Sequence, residues 1–241
     1  MFVKHNIMYG WQFSQGRYSS FELATPEFDH FGQCETTPAW QCEIQDVAGL
    51  SSSTSDLQQY ADLDQFAQAR TPNWIVDITE DNLMRNLAHN EIRIGNELRA
   101  DTTTDHFCRY RWDGRIFLLN DGGSHHFAAT RYIAGKLNRK VYLNGKLKTY
   151  SINPDSVKAL CNRFDIVVID NSAEEKNQFH RAMEAFSATY SWRKLPPPYE
   201  NSRAIFLPKN ETRSRTVAAN LKTAGAYDLA ALLQAIVEQQ T

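Results

Sequence analysis

The chain is predicted to fold as an α/β protein of the α+β kind, built on a mixed sheet. Three observations carry that prediction. From about residue 74, apolar runs of strand length alternate with segments of helical periodicity. Two dipeptides, Asp113-Gly114 and Asn144-Gly145, lie between such runs and signal hairpins, so some neighbouring strands should be antiparallel. The run Ile166-Val167-Val168-Ile169 is continuously apolar, as a buried strand requires.

The elements follow in order. Residues 1–50 scatter Tyr9, Trp11, Phe13, Tyr18, Phe21, Phe28, Phe31 and Trp40 among turn formers, which predicts short strands and loops packed on something larger. Ser51-Ser52-Ser53-Thr54-Ser55 is a loop, or the N-cap of a helix over 56–69. Residues 74–78 read as a short strand. Thr79 caps a helix to about Asn90, with Leu83, Met84 and Leu87 on its apolar side. A polar loop over 95–105 leads to a hairpin of residues 107–113 and 115–120. A helix over 124–137 repeats Ala129, Ile133 and Leu137 on one face. A second hairpin joins 141–143 to 146–152 through Asn144-Gly145. Asn153-Pro154 opens a helix to Arg163, because proline suits the first helical position. The buried strand spans 165–170. Ser172-Ala173-Glu174-Glu175 is a capping box for a helix to about Tyr190, ahead of the prolines at 196–198. A strand over 203–207 precedes a helical tail, 216–240, broken near Gly225. These elements suggest an aromatic-rich extension (1–73), a core (74–170) and a helical C-terminal region (171–241).

Composition narrows the function classes. The chain has 241 residues with a formal charge of −2, and its 13 Phe, 10 Tyr and 5 Trp are enough for a sizeable core. That charge excludes a nucleic-acid binder that is basic over its whole surface. Lys136, Arg139 and Lys140, with Lys146 and Lys148 nearby, form a local basic cluster that could contact DNA phosphates or be a solvated face. Cys34, Cys42, Cys108 and Cys161 lack zinc-finger spacing and read as reduced thiols of a cytoplasmic protein, Cys108 and Cys161 as core. No run approaches the ~18 apolar residues of a membrane span. His180, one turn before Glu184, reads as a surface pair.

The densest chemistry lies where the strand ending at Asn120 meets Asp121, Gly122, Gly123, Ser124, His125 and His126. A strand that stops at two glycines and a hydroxyl residue leaves backbone N–H groups free at a helix N-terminus, where an anion is favoured. Two histidines occupy the first helical turn. A metal site of both with His106 or Asp105 is disfavoured, because adjacent helical residues diverge by about 100°. A plain strand-to-helix turn is the alternative reading of the glycines.

The run Gly122-Gly123-Ser124-His125-His126-Phe127-Ala128-Ala129 resembles the nucleotide-binding signature of the ParB/sulfiredoxin superfamily, a strand, glycine turn and helix opening with Gly-x-His-Arg or Gly-x-Arg-Arg before small residues. The likeness covers residues 75–145 at most. It implies a ParB/sulfiredoxin-like core with elaborations at both ends, and binding of ATP or CTP with Mg²⁺. Ser124 stands where sulfiredoxins place a nucleophilic cysteine, which excludes sulfinate reduction through a thiolate. His125 matches the phosphate-holding histidine. His126 replaces an arginine and supplies less charge; Arg131 is the candidate to restore it. Glu91 is the nearest upstream acid, a candidate catalytic group with His125 and His126, and Asp121 is placed to position a ribose or a magnesium-bound water. Two functions follow. One is a nucleotide-binding protein with NTPase, phosphotransfer or nuclease activity. The other is a non-catalytic protein that docks on a partner protein, as inhibitor or accessory factor, through exposed aromatics among residues 9–40.

Overall fold

The computed structural model describes residues 6–94 and 103–240, and statements of absence below refer to these residues. The chain forms two compact units. One contains residues up to 33 and from 152 onward; the other, residues 34–151, is inserted into it.

The first unit opens with β1 (Ile7–Ser14) and β2 (Arg17–Ala24), an antiparallel pair. Gln15 and Gly16 join them, both with positive φ (52° and 78°), the geometry that matches strand twist in a two-residue turn. After a 3₁₀ turn at Pro26–Phe28 the chain enters the second unit.

There β3 (Gly32–Glu43) and β4 (Val47–Leu50) precede the serine loop, α1 (Leu63–Arg70) and α2 (Glu80–Leu87). Next come β5 (His106–Tyr110), β6 (Ile116–Leu119), α3 (Ser124–Lys136) and β7 (Tyr142–Ile152). The sheet runs β3-β7-β5-β6-β4. It is mixed, since β5 and β6 pair antiparallel whereas β4 with β6 and β5 with β7 pair parallel. One core, including Phe66, Leu83, Phe107, Phe127, Ile133 and Leu147, joins the sheet to the three helices.

Back in the first unit the chain builds α4 (Pro154–Arg163), β8 (Phe164–Asp170), α5 (Ala173–Ala185), β9 (Tyr190–Lys194) and β10 (Ser202–Pro208). It ends with α6 (Thr212–Thr223), the short β11 (Tyr227–Asp228) and α7 (Leu229–Gln239). The sheet order is β11-β8-β10-β9-β1-β2, and its neighbours pair antiparallel. Strand alternation sends Ile166, Ala204 and Phe206 toward α4 and α7, and Val167, Ile205 and Leu207 toward α5 and α6. Both faces are therefore covered, which explains the apolar run in β8.

The structure is thus mixed α/β, with two sheets. Three helix starts agree with the sequence, each at a side-chain cap. The side chains of Thr79, Asn153 and Ser172 accept from backbone N–H groups at the starts of α2, α4 and α5. Several elements differ. Residues 141–152 hold no hairpin; β7 runs straight through Asn144-Gly145. Gly145 serves packing: a Cβ there would lie 3.0 Å from Ile94 Cδ1 and 3.2 Å from Phe107 Cε2. No strand forms at 74–78, because Asn82 Nδ2 donates to the carbonyls of Trp74 and Asp77 and curls that segment. The helix expected over 56–69 is a 3₁₀ turn capped by Asp56 and then α1 capped by Asp62. Met84 faces solvent. Residues 95–102 of the expected loop lie outside the described residues. The helix α5 stops at Ala185, and Tyr190 opens a strand instead. His180 pairs with the Tyr190 hydroxyl at 3.0 Å and packs edge-on to Trp11 rather than forming a surface pair with Glu184.

The boundaries expected at 73/74 and 170/171 do not coincide with the two units, and the region after 171 contributes strands as well as helices. Of the aromatics among residues 9–40, Tyr9 and Phe13 are exposed, whereas Trp11, Tyr18, Phe28, Phe31 and Trp40 pack on cores.

Candidate functional site

The strand–turn–helix element forms as its residues dictate. Strand β6 ends at Leu119, and Gly122 (φ 147°) and Gly123 (φ 71°) turn the chain into α3, whose N-terminus has no side-chain cap. The Asn120 side chain, almost fully buried, ties this turn to the serine loop. Its Nδ2 donates to Gly122 O at 2.8 Å and Ser52 O at 3.0 Å, and its Oδ1 accepts from Ser52 N at 3.3 Å.

That clamp brings Ser53 and Ser55 onto the first turn of α3. Ser124 Oγ donates to Ser53 Oγ at 3.1 Å and lies 3.3 Å from His125 Nδ1. The other ring nitrogen, His125 Nε2, lies 3.2 Å from Ser55 Oγ. Ser55 Oγ also accepts from Arg70 Nε at 3.0 Å. A chain of polar atoms thus runs from Arg70 through Ser55, His125 and Ser124 to Ser53.

His126 is held separately. Its ring is stacked between Trp74, with centroids 4.2 Å apart, and His89, at 3.6 Å. Nδ1 lies 3.1 Å from Asn86 Oδ1, an oxygen identified as such because Asn86 Nδ2 donates to Asn82. His126 Nδ1 is therefore the protonated nitrogen, and Nε2 carries the lone pair of the neutral ring.

The glycines meet main chain rather than open space. A Cβ on Gly123 would lie 2.7 Å from Glu91 O. The remaining void, lined by Glu91, Arg93, Asn120, Gly122 and Gly123 among others, is about 10 Å³, room for about one water. The expected anion seat on the glycine side is thus closed by residues 91–94, for a steric reason. Nor does Arg131 reach the turn: its guanidinium holds Asp64 Oδ1 and Gln45 O on another side of α3. The cation beside the turn is Arg93, 3.5 Å from Asp121 Oδ2 and 3.7 Å from Asp105 Oδ1. Asp121 is exposed, and its N–H donates to Asp105. Glu91 is exposed as well, and its charge favours the protonated forms of His125 and His126. Lys136, Arg139 and Lys140 lie at and beyond the far end of α3, about 20 Å along a 13-residue helix from the serine–histidine cluster. Cys42, Cys108 and Cys161 are buried and Cys34 is exposed, all as free thiols. Among the described residues, no helix is long and apolar enough to cross a membrane.

A family model described as "Family of unknown function (DUF6685)" matches residues 37–241. The chain belongs to the DUF6685 family. No curated protein and no solved structure matches it. The matched span contains every member of the serine–histidine cluster, while β1 and β2 of this DUF6685 protein precede it.

Burial lowers the pKa of His125, and the Arg70 charge lowers it further against the opposing pull of Glu91. Burial likewise lowers that of His126, with His89 adding to the shift. Both rings of the DUF6685 protein are therefore neutral at pH 7. The linkage has a definite sign. The unfolded chain binds these protons more readily than the folded one, so the contribution is complete above the ordinary imidazole pKa of about 6.5 and is lost as pH falls toward the lowered folded values. Thermal unfolding from pH 7.5 down to pH 5 should show a falling Tm, with a shallower fall in the His125→Asn, His126→Asn double variant. Equal slopes would show that the two rings do not titrate with folding.

Ser53, Ser55, Arg70, Trp74, Asn86, His89, Arg93 and Asn120 escape a reading of the sequence as site residues. The serine run itself is a visible signal. Arg70 and Asn86 carry none, since each is an ordinary polar residue on a helix.

Proposed function

We propose that this DUF6685 protein binds a nucleotide, ATP or CTP, at the N-terminal end of α3 and acts on its phosphate through Ser55, His125 and Arg70. One observation carries the reading. The Ser55 hydroxyl oxygen lies 3.0 Å from Arg70 Nε and 3.2 Å from His125 Nε2. A guanidinium can only donate, so Ser55 accepts from Arg70 and can turn its own proton toward the imidazole. A neutral imidazole can take that proton, and the neighbouring cation stabilises the oxygen that loses it. Ser124 Oγ, beside Nδ1, accepts the other ring proton and fixes the tautomer. The remaining Arg70 donors and the uncapped end of α3 favour phosphate oxygens, and Trp74, 39 % exposed, offers a surface on which a base stacks.

The proposal keeps the strand–turn–helix element and the nucleotide implied by the ParB/sulfiredoxin resemblance, and a related core within residues 34–151. It moves the phosphate from the glycine side to the serine–histidine side. Its reaction class is hydrolysis or transfer at phosphorus; a nuclease would use the same groups on a diester. Asp105 and Asp121 both face Arg93, and no three His, Cys, Asp or Glu side chains converge among the described residues. The chain's own residues therefore do not fit a resident magnesium ion, which would arrive bound to the triphosphate. DNA contact through Lys136, Arg139 and Lys140 is no part of this reading.

The test is thermal unfolding with ATP, CTP and inorganic pyrophosphate, each with and without magnesium. A ligand at about 100 times its Kd stabilises by about 2.7 kcal/mol, a rise of several degrees. Arg70→Gln and Ser55→Ala should each remove most of the rise, and Lys140→Gln should leave it intact. A rise that persists in Arg70→Gln, Ser55→Ala and His125→Ala would refute this site. No rise with any of the three ligands would select the second reading, a non-catalytic protein that docks on a partner. The observations favouring that alternative are the engagement of Ser124, His126 and Arg131 within the protein and the exposure of Tyr9 and Phe13.

A further inference from the structure

On the face of the six-stranded sheet that carries α4 lies a cleft of about 390 Å³. Its size is at the lower end of the range that takes a small-molecule ligand. The last turn of α4 brings Asn162 and Arg163 to it, β1 brings Gln12, and Asn210 stands between β10 and α6. Phe21 and Phe164 supply apolar surface. The Phe21 ring fills the space that Gly10 leaves in the neighbouring strand, since a Cβ there would lie 2.7 Å from its Cε1 and Cζ. Ser191 of β9 belongs to the floor. It is fully buried, and its hydroxyl has no hydrogen-bond partner among the described residues. In register Ser191 faces Gly10 and Phe206, which puts it on the same side of the sheet as Gln12, Phe21 and Phe164. A buried hydroxyl left unpaired is destabilising, and the cleft is the side from which a partner can reach it.

We propose that this cleft binds a neutral sugar, a pyranose of hexose size, with its hydroxyls on the amides and on Ser191 and one face of its ring on the phenylalanines. Charge decides the first part. Arg163, the charged member of the lining, donates through Nη1 to Glu27 Oε1 at 2.5 Å. That pair leaves no net charge to select an ion, and an ionic ligand would give up its hydration without compensation. The polar groups decide the second. An amide or a hydroxyl side chain can both donate and accept, as each sugar hydroxyl does. These groups come from β1, α4, β9 and the turn between β10 and α6, so they surround a ligand instead of meeting one edge of it. A sugar ring carries hydroxyls around its whole circumference, whereas a nucleobase offers its polar atoms in one plane. The C–H face of a pyranose suits the negative face of an aromatic ring. The proposal is independent of the serine–histidine site, which belongs to the other unit.

The experiment is ligand-observed NMR titration of the full chain with glucose, galactose, mannose, glucuronate, glucosamine and uridine, each to about 50 mM, a level that registers millimolar affinities. At least one of the three neutral hexoses should saturate, and it should exceed glucuronate and glucosamine by at least about tenfold, the penalty of a buried charge without a partner. Ser191→Ala should weaken that hexose about two- to tenfold, the worth of one neutral hydrogen bond. The Tm of the unliganded Ser191→Ala protein should rise, because the unpaired hydroxyl is gone. Asn162→Ala and Asn210→Ala, both at exposed positions, should weaken the hexose by similar factors. Gln12→Glu should turn the preference toward glucosamine. No binding of any of the three hexoses to the wild-type chain, or equal binding of the charged sugars, would overturn the proposal. Unchanged hexose binding in Ser191→Ala, Asn162→Ala and Asn210→Ala would overturn its location. Uridine binding that exceeds every hexose and is lost in Ser191→Ala would replace the sugar by a nucleobase.

Discussion

Gly123→Ala is expected to destabilise the protein by about 2–5 kcal/mol. Two terms add. The left-handed backbone at this position costs an L-residue roughly 1–2 kcal/mol, and forcing a methyl group into filled space costs about 1–3 kcal/mol more. The second term arises because the new Cβ would lie 2.7 Å from Glu91 O and 2.9 Å from Glu91 C, backbone atoms that cannot rotate away. Gly114→Ala supplies the control. Gly114 has nearly the same φ, 77° against 71°, with nothing within 4 Å of its added Cβ. Urea unfolding followed by circular dichroism should thus show Gly114→Ala losing only the backbone term. Equal midpoints for the two variants would mean that residues 91–94 do not press on the turn, and the glycine side would again be open to an anion.

Asn120→Ala is expected to cost about 2–4 kcal/mol and to abolish any nucleotide-dependent rise in Tm. The side chain makes three hydrogen bonds, to Gly122 O, Ser52 O and Ser52 N, and is only 7 % exposed. A buried group left without its partner costs about 1–3 kcal/mol, and water can reach the exposed Ser52 end, so the three losses do not add in full. The functional effect is larger than the energetic one. Without the clamp the serine loop loses its ties to the Asn120 side chain and keeps those of Ser51 to Leu118 and the Asn120 main chain and of Ser53 to Ser124, so Ser55 is held less firmly within reach of Arg70 and His125. Hydrogen exchange should show faster exchange at the amides of residues 52–55 in Asn120→Ala. Unchanged exchange there, with an unchanged Tm, would show that the loop is held by other contacts.

Local chemistry made part of this fold legible. Caps at Thr79, Asn153 and Ser172 act within three residues of themselves, and the Gly122-Gly123 turn is equally local. The same logic misleads at Asn144-Gly145. That dipeptide favours a hairpin when its glycine adopts positive φ, whereas here the missing side chain makes room for Ile94 and Phe107, a tertiary demand invisible along the chain. The strand at Tyr190 is hidden for a related reason: the capping box announces where α5 begins, while its end depends on a left-handed Ser187 (φ 51°) and on pairing with β1 and β10. At the site, His125 and Ser124 are readable because they adjoin the turn. Ser55 and Arg70 join them through long-range contacts of the serine loop with Asn120, Ser124 and His125, and Arg131, near in sequence, is drawn aside by Asp64.

The insertion of residues 34–151 between two parts of one sheet has a consequence for how the protein is made. The hairpin of β1 and β2 gains its neighbour β9 only when residue 190 has been translated. At about 5–20 residues per second, the ribosome takes roughly 8–35 s to travel that far from the hairpin. The inserted unit has all its strands by residue 152 and can assemble first. β1 and β2 thus spend the elongation time with β1's second edge, the one that later pairs with β9 along Tyr9 to Trp11, unoccupied and open to other strands.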